Sequence, residues 1–496
     1  LGSSPDRSRR SIGMLATSAG KKRDHAESVA EPCVGCSSQG TRESLAVGSR
    51  GHALRYGSSV GAGPAPMESL EELQGLLSWL RAEGAELDGL CFRRDCRGGM
   101  GVFAARTFSP GDVVATIPQR CILTAELAKS SELGVAAFAA ASEWGCRHLC
   151  TDEVLLWIFM CAGRASRSHP FHAYLSALPE TSPEPVCWPK DLRDELRQTP
   201  VGAAVDVALR EMQLCFDQFV SRLPERLPHL LPDRCLGSVH ALLWARGMCF
   251  SRAYNAQALF TQAAGQKVSA ETVLSAVWVG DKTGGDVDVV RTHGKAQSVL
   301  LPLFDLLNHR AGQNVTWTAD DRGVRFQIGE RLKLGDEVFN DYGARSNEDL
   351  LFAHGFCLRD NPMDAVALWM QSQPQCSSTR TRFMLRRRQE GGVPSELWRL
   401  LASAQAAEDP ARDSDEQVVV GVKEVMLLAQ ALQEKLQHDS LTSMQGEDWH
   451  RLHFTGPPAD DYQAKRLFVA MYRQGQRDVL REALASLAEL LDEAPA

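Results

Sequence analysis

The chain has 496 residues, of which 44% are hydrophobic and 23% are charged, and it carries a formal net charge of -8 at pH 7. It is long enough to form two or three domains with large cores. The acidic balance argues against nucleic-acid binding, because proteins neutralise backbone phosphates mainly with clustered Lys and Arg. A protein substrate or partner is the simpler interpretation.

Residues 1–66 are rich in Ser, Gly, Ala and Arg and poor in large apolar residues, so we predict a disordered tail. Basic residues in this tail leave an organelle-targeting peptide as an alternative, although interspersed acidic residues dilute that signal. The pair Cys33 and Cys36 has no second pair at zinc-finger spacing, so we interpret it as two exposed thiols. The chain starts at Leu1 rather than at Met, which leaves the true N-terminus open.

The cysteines lie singly along the chain, without the dense spacing of a secreted disulfide scaffold. The sequence also contains no run of about 18 apolar residues, the length that a membrane-spanning helix needs. We therefore expect an intracellular protein, cytoplasmic or nuclear, without a membrane segment, and we expect it to be a monomer.

Order is predicted to begin near Ser69, where a capping box precedes leucines at helical spacing, and this helix should end at Gly84. Glycines at 98, 99 and 101 then precede a strand at 102–105, and Pro110-Gly111 predicts the turn into the next strand. These glycines do not have the spacing of a dinucleotide-binding loop, and no helix follows them.

From about residue 124 to 246 the pattern is helical, and short strand-like runs return between 298 and 340. Beyond a boundary near 360–364, amphipathic segments at 417–437, 461–474 and 477–491 predict a helical domain. The sequence therefore predicts an α+β domain over 67–360 with a helical insert at about 124–246, and an all-α domain over 361–496.

Short motifs follow one another along the chain in a fixed order. They are Gly99-Met100-Gly101-Val102-Phe103-Ala104, Ser251-Arg252, Asp305-Leu306-Leu307-Asn308-His309, Tyr342-Gly343 with Ser346-Asn347, and Gly355-Phe356. In this order they resemble those of SET-domain protein methyltransferases. The helical insert and the helical C-terminal part resemble the Rubisco large-subunit lysine methyltransferase branch, which is related to the actin-histidine methyltransferase branch. The resemblance covers roughly residues 69 to 490.

The resemblance implies a knotted β fold and a protein-lysine N-methyltransferase that uses S-adenosyl-L-methionine and acts on a non-histone protein. A protein-histidine N-methyltransferase and a non-catalytic SET-like interaction protein remain as alternatives. By position, Tyr342 is implied as the catalytic residue. The implied cofactor contacts are Gly99, Met100, Gly101, Arg252, Asn308, His309, Tyr342 and Phe356, and the implied substrate contacts are Arg252, Asp305 and His354.

Each of these residues also has an ordinary structural interpretation. Tyr342 could flank a turn, Arg252 could form a structural ion pair, and Asp305 could anchor backbone. His309 has no second histidine or carboxylate at ligand spacing, so we predict no metal site.

The chain departs from the family pattern at two positions. Gly98 stands where relatives often carry Glu, and His354 stands where Rubisco-type enzymes often carry Tyr. No cysteine cluster follows Phe356, so the zinc-binding segment of histone-directed relatives is absent, which points away from histone tails. Ser346-Asn347 and residues 128–134 resemble the actin-histidine branch, whereas Ala253-Tyr254 resembles lysine-directed enzymes, and we predict a lysine target.

Overall fold

The computed structural model describes residues 11–13, 73–94, 99–255, 267–269, 298–371, 380–387, 393–406, 419–440 and 460–492. The strands within these ranges are β1 (Ser11–Gly13), β2 (Leu90–Arg94), β3 (Met100–Ala104), β4 (Val113–Pro118), β5 (Leu123–Thr124), β6 (Ala253–Asn255), β7 (Lys267–Ser269), β8 (Ser298–Leu300), β9 (Asn308–His309), β10 (Val315–Asp320), β11 (Gly323–Ile328), β12 (Phe339–Asn340), β13 (Ala365–Gln371), β14 (Arg380–Arg386) and β15 (Val419–Gly421). The helices are α1 (Gln74–Ala82), α2 (Ala125–Ser130), α3 (Glu132–Glu143), α4 (Asp152–Ala165), α5 (His172–Ala177), α6 (Lys190–Asp194), α7 (Pro200–Gln218), α8 (Leu223–Arg226), α9 (Val239–Arg252), α10 (Asn347–His354), α11 (Ser395–Ala406), α12 (Val422–Ser440) and α13 (Asp461–Asp492).

Several small sheets form the β part of the molecule. Strands β4, β11, β10 and β7 lie side by side in that order, β2 pairs with β3, and β5, β8 and β6 form a third sheet. Most residues of β4, β10 and β11 are buried, and Trp317 and Phe326 are fully buried. The mixture of small sheets and helices confirms the predicted α+β class.

Helices α2 to α9 form the insert between β5 and β6. Threonine or serine caps several of them: Thr124, Ser131, Thr151 and Thr199 each accept a hydrogen bond from a backbone N–H in the first turn. The insert and the sheets share one continuous hydrophobic core. The insert helices and the sheets therefore pack against each other and together position the site described below.

The C-terminal part is helical, as the sequence predicts, and it also contains an antiparallel hairpin of β13 and β14 that the sequence did not predict. A second hydrophobic cluster joins this hairpin to α11, α12 and the end of α13. The two segments predicted at 461–474 and 477–491 form the single helix α13. Because Tyr472 packs in the first cluster and Leu480 in the second, this helix connects both cores. The boundary near 360–364 stays a prediction.

Some predicted features fall outside the described residues, including the capping box at 69–72, Gly98 and most of the tail. Within the tail, the structure describes the short strand β1, which pairs antiparallel with β15. The disorder of residues 1–66 stays a prediction. Among the helices that the structure describes, none combines the length and the apolarity needed to cross a membrane.

Candidate active site

The site is organised by the parallel pairing of two very short strands. Asn308 of β9 lies opposite Phe339 of β12, and His309 lies opposite Asn340. Parallel neighbours need a crossover between them, and the β10–β11 hairpin lies in that connection. The pairing places Tyr342, two residues after β12, directly against the motif that contains Asn308 and His309.

Asn308 connects the β9–β12 pair to the glycine-rich segment at the start of β3. Its Nδ2 donates to the Met100 carbonyl oxygen at 3.2 Å and to Glu337 Oε1 at 2.7 Å. A Cβ on Gly101 would lie 2.8 Å from the Phe103 ring and 3.2 Å from Glu337 Oε1. A larger residue at position 101 would therefore disturb the hydrogen bond between Asn308 and Glu337. Residues 99–101 and 308–309, which the resemblance implied as cofactor contacts, therefore meet in one place.

His309 and Tyr342 hold each other in position. The Tyr342 backbone N–H donates to His309 Nδ1 at 3.0 Å, and the two rings stack with centroids 5.0 Å apart. Because Nδ1 accepts this hydrogen bond, it carries no proton, and a neutral His309 carries its proton on Nε2.

Tyr342 is a buried phenol with a fixed hydroxyl. Its hydroxyl group donates to the Leu307 carbonyl oxygen at 2.9 Å. Burial raises the pKa of Tyr342 to about 12, with Arg252 acting in the opposite direction and Asp305 adding to the rise. The phenol is therefore neutral at pH 7. Because its O–H is already donated to the Leu307 carbonyl oxygen, the Tyr342 oxygen presents only lone pairs to a further ligand.

His354 and Phe356 reach the site from the end of α10. A capping box between Ser346 and Asp349 fixes the start of that helix, and Gly355 ends it with a φ of 73°. His354 lies 4.8 Å from the Tyr342 ring and 6.1 Å from the Phe356 ring. Burial, together with the positive charge of Arg345, lowers the pKa of His354 to about 3.

Phe356 also lies 6.3 Å from the ring of His309 and 6.5 Å from that of Tyr342. His309, Tyr342, His354 and Phe356 thus form one group of rings, which we call the aromatic cluster. Three separate stretches of chain contribute to it, namely β9, the segment after β12, and the end of α10.

A polar cluster of Arg252, Asp305 and Tyr174 adjoins these rings. Arg252 Nη1 donates to the Asp305 carbonyl oxygen at 2.8 Å and lies 3.4 Å from Asp305 Oδ2. The Tyr174 hydroxyl donates to the same Oδ2 at 2.9 Å. Burial raises the pKa of Asp305, and Arg252 opposes that rise. Arg252 Nε and Asp305 Oδ1 are buried without a hydrogen-bond partner, which leaves one donor and one acceptor for a ligand or a water molecule.

The residues implied as site residues thus fall into two adjoining groups. One group lies around the β9–β12 pair and contains Gly99, Met100, Gly101, Asn308, His309, Tyr342, His354 and Phe356. The other group is the polar cluster, to which Arg252 and Asp305 belong. Sequence reasoning assigned no role to Glu337 or Tyr174. Glu337 stands in a Gly-Asp-Glu run five residues before Tyr342, which is the signal that could have identified it.

In the part of the chain that the structure describes, no group of three or more His, Cys, Asp or Glu side chains could hold a metal ion.

The chain is similar to several known proteins. The family model of the SET domain matches residues 99–343. The ribosomal lysine N-methyltransferase set10 of Schizosaccharomyces pombe is 37% identical over 90 residues, which are 18% of this chain and 16% of that protein. The N-lysine methyltransferase setd6 of Salmo salar is 24% identical over 353 residues, covering 69% of each chain. The actin-histidine N-methyltransferase of Drosophila melanogaster is 23% identical over 304 residues, which are 61% of this chain and 52% of that protein.

Among solved structures, the SET domain of LSMT bound to lysine and AdoHcy matches with a TM-score of 0.60 and 17% identity, covering 85% of this chain and 93% of that one. This likeness confirms the fold that the motif order implied. The chain spans about one sixth of the length of the set10 relative that it matches.

Proposed function

We propose that this chain, whose residues 99–343 match the family model of the SET domain, is an S-adenosylmethionine-dependent protein N-methyltransferase whose target is a lysine of a non-histone protein. The observation that carries the proposal is Tyr342, a neutral phenol whose oxygen is oriented by Leu307 and surrounded by the rings of the aromatic cluster. Tyr342 is the residue to which we assign catalysis.

The site fits the chemistry of this cofactor. A sulfonium cation is favoured next to aromatic faces, and the aromatic cluster provides them. The low pKa of His354 keeps that ring uncharged at pH 7, so it does not repel the cation. The unpaired Arg252 Nε is a suitable donor for the cofactor's carboxylate. The remainder of the cofactor would lie beside the β9–β12 pair, held by residues 99–101, Asn308 and His309.

When bound, S-adenosylmethionine supplies a methyl group on a good leaving group. Transfer of that methyl group would require the lysine nitrogen to lie in line with the C–S bond, so alignment and exclusion of water at the site around Tyr342 would supply much of the rate. The lysine must first lose a proton, since its ordinary pKa is about 10.4. The low-dielectric surroundings of Tyr342 and the nearby positive charge of Arg252 both favour the neutral amine. The lone pairs of the Tyr342 oxygen then orient the amine and the methyl group without adding charge.

The lysine target is supported by the lysine N-methyltransferases among the relatives and by Ala253-Tyr254 after Arg252. Tyr254 is buried and its hydroxyl donates to the Phe304 carbonyl oxygen at 2.7 Å, so it stabilises the segment that leads to Asp305. The proposed enzyme acts as a monomer in the cytoplasm or nucleus, and the free thiols of the ten described cysteines fit a reducing compartment.

The test is transfer of a labelled methyl group from S-adenosylmethionine to a heat-inactivated cell extract, followed by mass spectrometry of the modified residue. We expect labelled methyllysine. Labelled methylhistidine would instead support the histidine-directed alternative. If calorimetry detects no binding of S-adenosylmethionine and no label is transferred, the chain is a non-catalytic SET-like protein and the proposal is wrong.

A further inference from the structure

A buried polar network joins the start of α10 to the C-terminal part of the chain. Asp364 directly precedes β13 and is 1% exposed. It accepts two hydrogen bonds from Asn347, the first residue of α10: the Asn347 backbone N–H donates to Oδ1 at 2.7 Å, and Asn347 Nδ2 donates to Oδ2 at 3.1 Å. The first N–H groups of a helix have no acceptor within the helix, and Asp364 supplies one from outside it.

Asn347 also fixes the loop that follows α10. Its Nδ2 donates to the Leu358 carbonyl oxygen at 2.9 Å, and its Oδ1 accepts from the Leu358 backbone N–H at 2.8 Å. These two bonds set the orientation of the Leu358 backbone relative to α10. Because Phe356 lies two residues before Leu358, the network reaches the aromatic cluster through this loop.

Helix α13 closes the network over Asp364. A Cβ on Gly475 would lie 2.2 Å from Asp364 Oδ2, so glycine allows the helix to approach the carboxylate this closely. Gln476 Nε2 donates to the Ala365 carbonyl oxygen at 2.9 Å, which holds the helix against the start of β13. Asp364 is therefore enclosed by α10, β13 and α13.

The charges around Asp364 do not fully compensate its carboxylate. Arg387, at the end of β14, is a cation near Asp364, but it also forms ion pairs with three other carboxylates, those of Asp360, Asp478 and Glu482. The thiol of Cys357, in the loop after α10, is neutral because burial raises its pKa.

Burial raises the pKa of Asp364 to about 6, and the charge of Asp478 adds to the rise, whereas Arg387 and the bonds from Asn347 oppose it. The stability that the protonated carboxyl contributes is therefore present below pH 3.8 and is lost as the pH rises through about 6. At pH 7 the ionised group costs folding stability. It does, however, present acceptors on both oxygens, whereas a protonated carboxyl turns one of them into a donor that faces a donor of Asn347.

We propose that Asp364 is a positioning residue for methyl transfer, which acts through Asn347 to hold the loop with Phe356 in the form that binds S-adenosylmethionine. The inference rests on the proposed function. It explains why a carboxylate that costs stability occupies the junction between α10 and α13, where a neutral side chain would be the more stable choice.

The experiment measures the binding of S-adenosylmethionine to the full chain by calorimetry at pH 5, 6 and 7, together with melting temperatures. Asp364→Asn keeps the shape of the side chain and removes its charge, but it places an NH2 donor against a donor of Asn347. At pH 7 we expect its dissociation constant to rise about tenfold, the effect of one unsatisfied buried group. Its melting temperature should stay within about 4 °C of the wild-type value, because a costly buried charge is removed as well.

The pH dependence separates positioning from a merely structural role. Between pH 7 and pH 5 the wild-type Asp364 takes up a proton. The wild-type dissociation constant should therefore rise about tenfold more over this interval than that of Asp364→Asn. The two proteins should bind the cofactor with similar affinity at pH 5.

Glu348→Gln is the matched control. Glu348 is also a buried carboxylate on α10 that faces α13, where it accepts from the Tyr472 hydroxyl group at 3.1 Å. Glutamine keeps an acceptor for that hydroxyl group. We expect Glu348→Gln to bind the cofactor as the wild-type protein does at each pH.

Equal pH dependence in Asp364→Asn and the wild-type protein would overturn the inference. A wild-type affinity that is the same at pH 5 and pH 7 would do so even if Asp364→Asn fails to fold. A loss of binding that only follows the loss of folded protein, or that Glu348→Gln shows equally, would also overturn it. These outcomes leave cofactor binding by the wild-type protein, and the proposed function, intact. An absence of binding by the wild-type protein at every pH would remove the proposed function and this inference with it.

Discussion

Replacing Tyr342 with Phe tests the catalytic assignment, because it removes one hydroxyl group and keeps the ring. The lost contact is the 2.9 Å hydrogen bond to the Leu307 carbonyl oxygen. Losing it should lower the free energy of unfolding by about 1 kcal/mol, or by about 3 kcal/mol at most if the carbonyl stays unpaired. Domains have stabilities of about 5–15 kcal/mol, so the variant should remain folded.

The expected effect on the rate is larger than the effect on stability. Removing one oriented polar group from a reacting centre costs about 100- to 1000-fold in turnover, or about 2.7–4 kcal/mol. Binding of S-adenosylmethionine should change little, because the stacking of the Tyr342 ring on His309 is retained.

The assay compares initial rates of labelled methyl transfer, cofactor affinity by calorimetry and stability by urea denaturation. Tyr462→Phe is the matched control, since it also removes a phenolic hydroxyl, from a half-exposed tyrosine that bonds to Asp191 on the surface. A Tyr342→Phe variant that keeps more than about a tenth of the wild-type rate would refute the assignment. A rate loss that only follows the loss of folded protein would refute it as well.

Three further substitutions probe the surroundings of Tyr342. Glu337→Leu removes the 2.7 Å acceptor of Asn308 Nδ2 and should weaken S-adenosylmethionine binding about tenfold by calorimetry, whereas Glu337→Gln should weaken it less; equal affinities would contradict this role. Arg252→Met leaves the Asp305 carboxylate buried and should lower the free energy of unfolding by about 3–5 kcal/mol in urea, and adding Asp305→Asn should restore part of it. On folding, the pKa of His354 falls from its ordinary value of 6.5 to about 3, so the neutral imidazole contributes to the free energy of unfolding above pH 6.5. This contribution should be lost as the pH falls towards 3, by up to about 5 kcal/mol. The His354→Phe variant should lack this pH dependence in urea curves at pH 4 and 7.

The sequence by itself determined the features that depend on local pattern. The helical pattern at about 124–246 located the insert, and short strand-like runs between 298 and 340 located β10 and β11. The order of the short motifs was enough to identify the SET domain, which the family model confirms. These signals work because side-chain periodicity and backbone capping are properties of consecutive residues.

Only the tertiary structure decided how those motifs meet. The parallel pairing of Asn308 with Phe339, the role of Glu337 as the acceptor of Asn308, and the bond from His354 to Ser251 join residues that are up to 103 positions apart. Helix α13 likewise belongs to two cores, although its sequence pattern looked like two helices. Such contacts depend on strand register and on the packing of distant segments, which no local pattern specifies. The pKa shifts of Tyr342 and His354 come mainly from burial, and burial exists only after the chain has folded.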